Sequence, residues 1–550
     1  MKKTVVALLI LAFAMTLLLS SCGKSAPKDT TGRYALSESG EAVINDINTD
    51  NYIKTDDNAR VFYEIFVGSF SDSDGDGVGD IRGIIERFDY LNDGDDLSGE
   101  SLGVEGIWLT PIFKSNSYHK YNVNDYYAID PSFGTEDDLR ELIALCRERN
   151  VKLILDLPIN HTGRLNPMFS EFTVAHRQND TENKYYDYYC YYVSGETAPA
   201  GRAFSQLSGT NIFFECNFSG DMPELNFDNE NVREEVVNIA KYYLDMGVDG
   251  FRFDAAKYIY FGDNEKSAEF WKWYIGELEK INPDIYTVGE VWDGDGITDK
   301  YFEALNCFNF TLSQENGSIA QTAKGGNVNA YTSYVEKYIS NIESARDGSM
   351  IVQFIANHDT DRAAGHLTVS SGNMQMAANI YLLSPGSPFI YYGEEIGLRG
   401  SRGGAQTDAN RRLAMLWGDD DTVKDPSGST YPLSSQTNGT VADQKGNGDS
   451  LLNYYKKLTM IRKANPEICR GEYRALSFSG TKLGGFTSSY GGKTVCVLHN
   501  TTGNDITVDL ATVTDIDFTL ISAVIGAGDA KLDGSSLTLS SKTSVVLRTK

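Results

Sequence analysis

Four short segments of this chain place charged side chains directly after buried-type apolar runs. Asp156 and Asp254 each end such a run, and Glu290 and Asp359 follow two further runs downstream. In a barrel of parallel strands the reacting groups project from the carboxyl ends of the strands, so we expect these side chains to converge. Two carboxyl groups about 5 Å apart can cleave a glycosidic bond with retention, one as nucleophile and the other as proton donor. Asp254 and Glu290 are the predicted pair.

The residues around this pair suit the two opposite protonation states that the reaction needs. Arg252 lies two positions before the predicted nucleophile, so the two side chains share a face and the guanidinium favours the ionised carboxylate. Glu290 must hold its proton near neutral pH, and we expect Trp292 and the neighbouring carboxylates to raise its pKa. Asp359 and His358 are predicted to bind sugar hydroxyls and to stabilise the oxocarbenium-like transition state.

These four segments, residues 156–161, 250–257, 289–292 and 354–359, resemble the four signature regions of the α-amylase family, glycoside hydrolase family 13. The resemblance implies that Asp254 is the nucleophile, Glu290 the acid/base and Asp359 the stabiliser of the transition state. It implies starch-like α-glucans and maltooligosaccharides as substrates. The predicted substrate-binding residues around the cleaved bond are Tyr121, Asp156, His161, Arg252, Lys257 and His358.

Further segments extend this resemblance over roughly residues 58–460. The matching segments are residues 106–111 for the second strand, 118–121 and 125–131 for the substrate-facing loop, 222–226 for the fifth region and 386–395 for the eighth strand. Glu224 stands in the fifth region where the family usually carries Asp. Several ordered segments that agree together are more specific than any one of them.

The leading hypothesis is an endo-acting hydrolase of α-1,4-glucosidic bonds. Tyr118 supports it, because exo-acting oligo-1,6-glucosidases tend to carry an Asp at the corresponding position. An exo-acting α-glucosidase or oligo-1,6-glucosidase, a neopullulanase-like enzyme and a 4-α-glucanotransferase remain open alternatives. A surface glucan-binding lipoprotein is the alternative outside enzymes, although a pure binder has no need of three mutually repelling carboxylates.

Eight short apolar runs alternate with helical segments, which predicts a (β/α)₈ barrel. The runs are residues 61–66, 104–109, 151–157, 250–253, 286–288, 307–310, 352–354 and 389–392. The long stretch between the third and fourth runs predicts an inserted subdomain. The predicted divisions are a barrel in residues 58–159 and 227–460, an inserted domain B in 160–226, and a C-terminal antiparallel β-sandwich in 461–550.

The amino-terminal residues predict export and anchoring. Residues 1–21 combine two lysines with an apolar run too short to span a bilayer, which is typical of a signal peptide. The run ends in small residues before Cys22, which resembles a bacterial lipobox and predicts lipidation of that cysteine. Residues 22–57 are polar and predict a flexible tether. The expected location is the extracellular face of the bacterial cell membrane, with the lipid as anchor.

An acidic loop after the first predicted strand is a candidate metal site. Hard carboxylate and carbonyl oxygens at alternate positions are typical of calcium loops. The predicted ligands are Asp72, Asp74, Asp76, Val78 through its carbonyl, and Asp80. Gly83 stands where an EF-hand carries its bidentate Glu, so the loop instead resembles the structural calcium loop of oligo-1,6-glucosidases. A second, interdomain calcium of the family is left open, because Tyr258 replaces the usual histidine after Lys257.

The formal net charge of -27 disfavours nucleic acids and anionic ligands and favours a neutral substrate. Six cysteines remain after the predicted lipidation, and their spacing shows no metal-ligand pattern. Neither their pairing nor the oligomeric state follows from the sequence.

Overall fold

The computed structural model describes residues 49, 52–54, 57–403 and 408–549. The predicted signal peptide, Cys22 and most of the predicted tether lie outside these residues. Within the described part of the chain, no helix has both the length and the apolar character that a membrane-spanning segment requires. The six cysteines of this part are free thiols.

Eight parallel strands form a nearly closed barrel, as the sequence predicts. They are β1 (Phe62–Ile65), β2 (Gly106–Leu109), β3 (Lys152–Leu157), β4 (Gly250–Phe253), β5 (Tyr286–Gly289), β6 (Asn306–Cys307), β7 (Val352–Gln353) and β8 (Ser387–Tyr391). Hydrogen bonds join them in the order β6-β5-β4-β3-β2-β1-β8-β7. A bridge between Phe308 and Val352 connects the two remaining edges.

Bulky side chains fill the barrel interior. Their contacts form a cluster that draws on most of the strands: Phe62, Trp108, Ile154, Tyr286, Val288, Phe308, Phe310, Val352, Phe354 and Phe389. The first position of β4 requires glycine, because a Cβ atom on Gly250 would lie 1.9 Å from the carbonyl oxygen of Tyr286 on the neighbouring strand. The packed interior fixes the strand ends from which the site residues project.

Helices surround the barrel between the strands. The helix after β2 begins with a capping box formed by Thr135 and Asp138, which satisfies free N–H groups of its first turn. The longer helices are Glu136–Glu148, Glu230–Met246, Asn264–Glu279, Val328–Ala345, Asn373–Leu382 and Leu451–Ala464. Shorter ones are Ile81–Glu86, Phe88–Leu91, Asp295–Thr298, Ser318–Ala323, Ala363–His366, Leu433–Gln436, Val441–Lys445 and Glu467–Arg470.

The segment between β3 and β4 carries its own small structure, and a hairpin follows β2. The insertion contains the helix Pro167–Gln178 and an antiparallel sheet of Tyr191–Val193, Ile212–Glu215 and Phe204–Gln206. An edge-to-face contact of Phe169 with Phe214 packs the helix against the sheet, and a second one joins Phe169 to Tyr189. The hairpin strands are Phe113–Ser115 and Val123–Ile129.

After the barrel the chain forms two antiparallel sheets that enclose a separate apolar core. The larger sheet has the order Glu472–Ser477, Gly484–Tyr490, Lys493–Asn500, Thr543–Arg548, Leu520–Gly526. The smaller one has the order Ile506–Asp509, Ser536–Leu539, Ala530–Asp533. Leu498 and Val545 of the first sheet share a core with Leu532 and Leu537 of the second. The predicted C-terminal antiparallel domain is thus confirmed.

Candidate active site

A cavity of about 530 Å³ opens at the carboxyl ends of the barrel strands. All three predicted catalytic acids line it, together with predicted substrate-binding residues. The residues that line it include Tyr118, Tyr121, His161, Phe218, Asp254, Tyr258, Glu290, Trp292, Asp359 and Arg412. A larger cavity of about 910 Å³ lies beside Arg60 and Asp249, but none of the predicted site residues lines it.

The side chain of Arg252 joins three of the acidic residues. Its Nη1 donates to Asp254 Oδ1 at 2.7 Å and to Asp156 Oδ1 at 2.9 Å. Its Nη2 lies 3.0 Å from Glu290 Oε2. The guanidinium is completely buried and lies over the ring of Trp108. Because one rigid, planar cation contacts both carboxyl groups, Asp254 and Glu290 face the same small volume.

Glu290 lies in the environment that a proton donor needs. Its side chain is only 11% exposed, and Oε2 accepts the backbone N–H of Ala255 at 3.0 Å. Ala255 takes a left-handed conformation, with φ of 50°, directly after the predicted nucleophile. Burial, and then the charges of Asp254 and Asp359, raise the pKa of Glu290 to about 7 although Arg252 opposes the shift. The direction agrees with the prediction, but burial contributes more than any neighbour.

Asp359 lies between two cationic groups. Its Oδ1 accepts from Arg412 Nη2 at 2.6 Å, and its Oδ2 lies 3.0 Å from His358 Nε2. Burial alone would raise the pKa of Asp359, but His358 and Arg412 lower it well below its usual range. Arg412 also donates to the hydroxyl oxygen of Tyr118 at 3.0 Å. The cavity wall therefore carries a carboxylate that stays ionised.

The predicted site residues divide into two groups. Tyr121 and His161 line the cavity with the three acids, whereas Asp156, Arg252, Lys257 and His358 are not among its lining residues. Tyr121 donates to Asp156 Oδ2 at 2.8 Å, and its ring stacks against that of His358. Asp156, Arg252 and His358 are completely buried and therefore lie behind the cavity surface.

The substrate contact predicted for Asp156 needs correction. The side chain is 0% exposed, and Arg252 Nη1 and the Tyr121 hydroxyl occupy its carboxylate oxygens. Asp156 thus orients these two side chains and does not reach a sugar. Lys257 Nζ donates to the Trp292 carbonyl at 2.7 Å and to Asp293 at 3.1 Å, which ties together the loops after β4 and β5.

Two charged residues of the site were missed by the sequence prediction. Arg412 belongs to no recognised segment, so only the fold reveals its contact with Asp359. Glu64 was assigned to the first apolar run, yet its Oε1 lies 2.6 Å from His358 Nδ1. A charged residue inside an otherwise apolar strand was the available signal for Glu64.

Aromatic side chains border the cavity next to the acids. Trp292 is 38% exposed, and its ring stacks on Phe310 with 4.7 Å between centroids and an angle of 9°. Phe218 from the insertion packs edge-on against Tyr258. Partly exposed rings with buried support offer flat faces to pyranose rings.

The junction between insertion and barrel is made by direct contacts. Asn160 Nδ2 donates to the Tyr258 carbonyl at 2.6 Å. Arg202 pairs with buried Glu215 at 3.0 Å and donates to the Phe261 carbonyl after β4. At the position left open for an interdomain calcium, the side chain of Asn160 is thus hydrogen-bonded to the backbone of Tyr258.

The acidic loop after β1 brings three carboxylates together. One oxygen from each of Asp72, Asp74 and Asp80 lies within 4.8 Å of the others. Asp76, a predicted ligand, is not part of this cluster, and its exposed carboxylate accepts the backbone N–H of Val78. Three of the five predicted ligands thus come together, and such hard oxygen donors fit a divalent cation such as calcium; the carbonyl of Val78 stays a predicted ligand.

Comparisons with known proteins agree with this geometry. A family model described as the catalytic domain of alpha amylase matches residues 64–471. Alpha-amylase 3 of Dictyoglomus thermophilum is 36% identical over 80% of this chain and 84% of its own length. A 4-alpha-glucanotransferase of Thermotoga neapolitana is 28% identical over 81% of this chain and 96% of its own length. The solved structure of Eubacterium rectale Amy13B superposes with a TM-score of 0.82, at 32% identity, over 92% of this chain and 97% of that one.

Proposed function

Since the chain belongs to the α-amylase family of glycoside hydrolases, we propose that it is an endo-acting, retaining hydrolase of α-1,4-glucosidic bonds in starch and maltooligosaccharides. One observation carries the proposal. Asp254 and Glu290 contact the same buried guanidinium of Arg252 and both line the cavity. That arrangement supplies one ionised carboxylate and one protonated carboxylic acid at a single glycosidic bond.

In the first step Asp254 attacks the anomeric carbon while the bond from that carbon to the glycosidic oxygen breaks. Glu290 transfers its proton to this oxygen, so the leaving sugar departs with a hydroxyl group. The pKa of about 7 lets Glu290 hold this proton in neutral solution. The product on the enzyme is a glycosyl ester of Asp254.

In the second step Glu290, now ionised, removes a proton from water. The resulting nucleophile attacks the same carbon and releases Asp254, which returns both groups to their starting states. Asp359 stays ionised between His358 and Arg412 and stabilises positive charge on the sugar ring in both transition states. His161 and Tyr121 line the cavity, where they would contact the sugar in its distorted form.

Exo-acting hydrolysis is the second candidate, and one contact favours it. The hydrogen bond from Arg412 to Tyr118 links the loops after β2 and β8 at the cavity wall. If this link closes one end of the cleft, only chain ends enter. Transfer to a second glucan is a third outcome of the same chemistry, because an acceptor hydroxyl can replace water.

Product analysis separates these outcomes. Chromatography of digests of soluble starch, maltotriose and pullulan should give mixed oligomers for endo action, glucose alone for exo action, and longer chains for transfer. Asp254→Asn should retain the fold and lose nearly all turnover, whereas Glu472→Gln, at an exposed site in the C-terminal domain, should act like the wild type. Wild-type rates in the Asp254 variant would refute the assigned nucleophile.

The acidic loop is proposed to hold a structural calcium ion. Asp72, Asp74 and Asp80 supply the carboxylate oxygens, and bound calcium would neutralise their mutual repulsion next to β1. The loop contributes no group to the reaction.

Anchoring at the cell surface is proposed from the amino-terminal sequence. Residues 1–21 direct export, Cys22 receives the lipid, and residues 22–57 hold the enzyme away from the membrane. An extracellular position suits a polymeric substrate, which cannot enter the cell. Labelling with a radioactive fatty acid should modify the wild type and not Cys22→Ser; equal labelling of both would contradict the proposal.

A further inference from the structure

Glu64 is a buried acid that the proposed reaction leaves without a role. It lies in β1, where all four residues are buried, and is only 1% exposed. Its Oε1 lies 2.6 Å from His358 Nδ1 and accepts the backbone N–H of the same residue at 3.3 Å. Among the residues that the structure describes, the side chain hydrogen-bonded to Glu64 therefore belongs to the residue next to Asp359.

The other nitrogen of His358 also faces acceptors. Nε2 lies 3.0 Å from Asp359 Oδ2 and 2.6 Å from the Tyr121 hydroxyl oxygen. Since Tyr121 donates its proton to Asp156, its oxygen acts as an acceptor toward Nε2. A neutral imidazole carries a single N–H and would leave a lone pair opposite one carboxylate. Only the doubly protonated ring satisfies both sides.

We propose that Glu64 is a positioning residue that keeps His358 in its doubly protonated, cationic form. The cation then holds the Asp359 carboxylate and fixes its orientation in the cavity wall. The kinetic part of this inference rests on the proposed function, since Glu64 would act on the reaction through His358 alone.

The surrounding charges support this assignment. Burial alone would lower the pKa of His358, but Asp359 and Glu64 raise it to about 10. The titratable and charged groups around the ring come from several elements: Glu64, His119, Tyr121, Asp156, Arg252, Asp359 and Arg412. Glu64 is the carboxylate that faces Nδ1, whereas the carboxylate of Asp359 faces Nε2.

Nuclear magnetic resonance of ¹⁵N-histidine-labelled protein tests the proposal without substrate. The chain has six histidines, and burial lowers the pKa of all the others: His119, His161, His176, His366 and His499. At pH 8 the wild type should show one imidazolium signal, assigned by its loss in His358→Asn. Glu64→Gln keeps the shape and the acceptor but removes the charge, and should move the titration midpoint of His358 down by about one to three pH units.

Kinetics provide the second readout. Wild type and Glu64→Gln share the titration of Glu290, so this titration cancels in the ratio of their kcat/KM values. This ratio should rise tenfold per pH unit above the lowered His358 midpoint, whereas Glu472→Gln should give a constant ratio near one. A ratio independent of pH, or an unchanged His358 midpoint, would overturn the proposal.

Two further measurements test the proposal if Glu64→Gln does not fold. A wild type without an imidazolium signal at pH 8 overturns the inference by itself. Glu64→Asp withdraws the carboxylate by one methylene and should lower the midpoint to a smaller extent; an unchanged midpoint there also overturns it. Absence of glucan hydrolysis by the wild type would refute the proposed function and leave the spectral result intact.

Discussion

Replacing Glu290 by glutamine should stabilise the protein above neutral pH while it abolishes turnover. Glu290 is buried beside two carboxylates, so the folded protein resists its ionisation and its pKa rises from 4.5 to about 7. In the unfolded chain the same group ionises freely near its ordinary pKa. Glutamine has the same shape and no charge, so it removes this conflict at the cost of the proton donor.

The pKa difference sets the size and the pH window of the effect. Between pH 4.5 and about 7 the folded state binds a proton that the unfolded state has lost, so wild-type stability falls as pH rises. One pKa unit corresponds to about 1.4 kcal/mol, which gives a total loss of about 3 kcal/mol, complete above pH 7. The contribution of protonated Glu290 is fully present below pH 4.5, where variant and wild type should differ only by a constant.

Urea unfolding at pH 4.5, 6 and 8, followed through the barrel transition, measures this difference. The free energy of unfolding of Glu290→Gln relative to wild type should increase by about 3 kcal/mol from the lowest to the highest pH. Glu472→Gln, whose side chain is 69% exposed, is the matched control and should show no such trend. If the two variants change in parallel with pH, the burial argument for Glu290 is refuted.

Three more outcomes follow from the structure. Wild-type kcat/KM on maltooligosaccharides should fall about tenfold per pH unit above pH 7, as Glu290 loses its proton; a constant value up to pH 9 would contradict its role as acid. A chelator should lower the melting temperature of the wild type but not of Asp72→Asn, and an unaltered wild-type melt would count against bound calcium. Arg202→Ala should reduce the free energy of unfolding by about 3 kcal/mol, because it leaves Glu215 buried without its cation. Equal denaturation midpoints for variant and wild type would refute a stabilising role for this ion pair.

The repeated apolar runs made the barrel predictable. Each strand is a short apolar segment with both faces buried, and the charged residues that end four of the runs mark the catalytic edge. For this reason β3 and β4 were placed to within one residue, and Asp254 and Glu290 were expected on neighbouring strands. The weakest strand prediction was β6, expected over residues 307–310, because its ladder consists of Asn306 and Cys307 alone.

The sequence alone predicted the acids, their order along the chain and the strands that carry them, because the local hydrophobic pattern marks the strands and the acids stand at the strand ends. The tertiary structure decided which group stands next to which. It placed Asp156 under Arg252 instead of against a sugar, left Asp76 outside the carboxylate cluster, and brought Arg412 to Asp359. It also set Glu64 against His358 across 294 positions of the chain. These contacts and the pKa of Glu290 depend on burial and on charges from distant segments of the chain. A local pattern of residues predicts neither the burial nor the neighbouring charges.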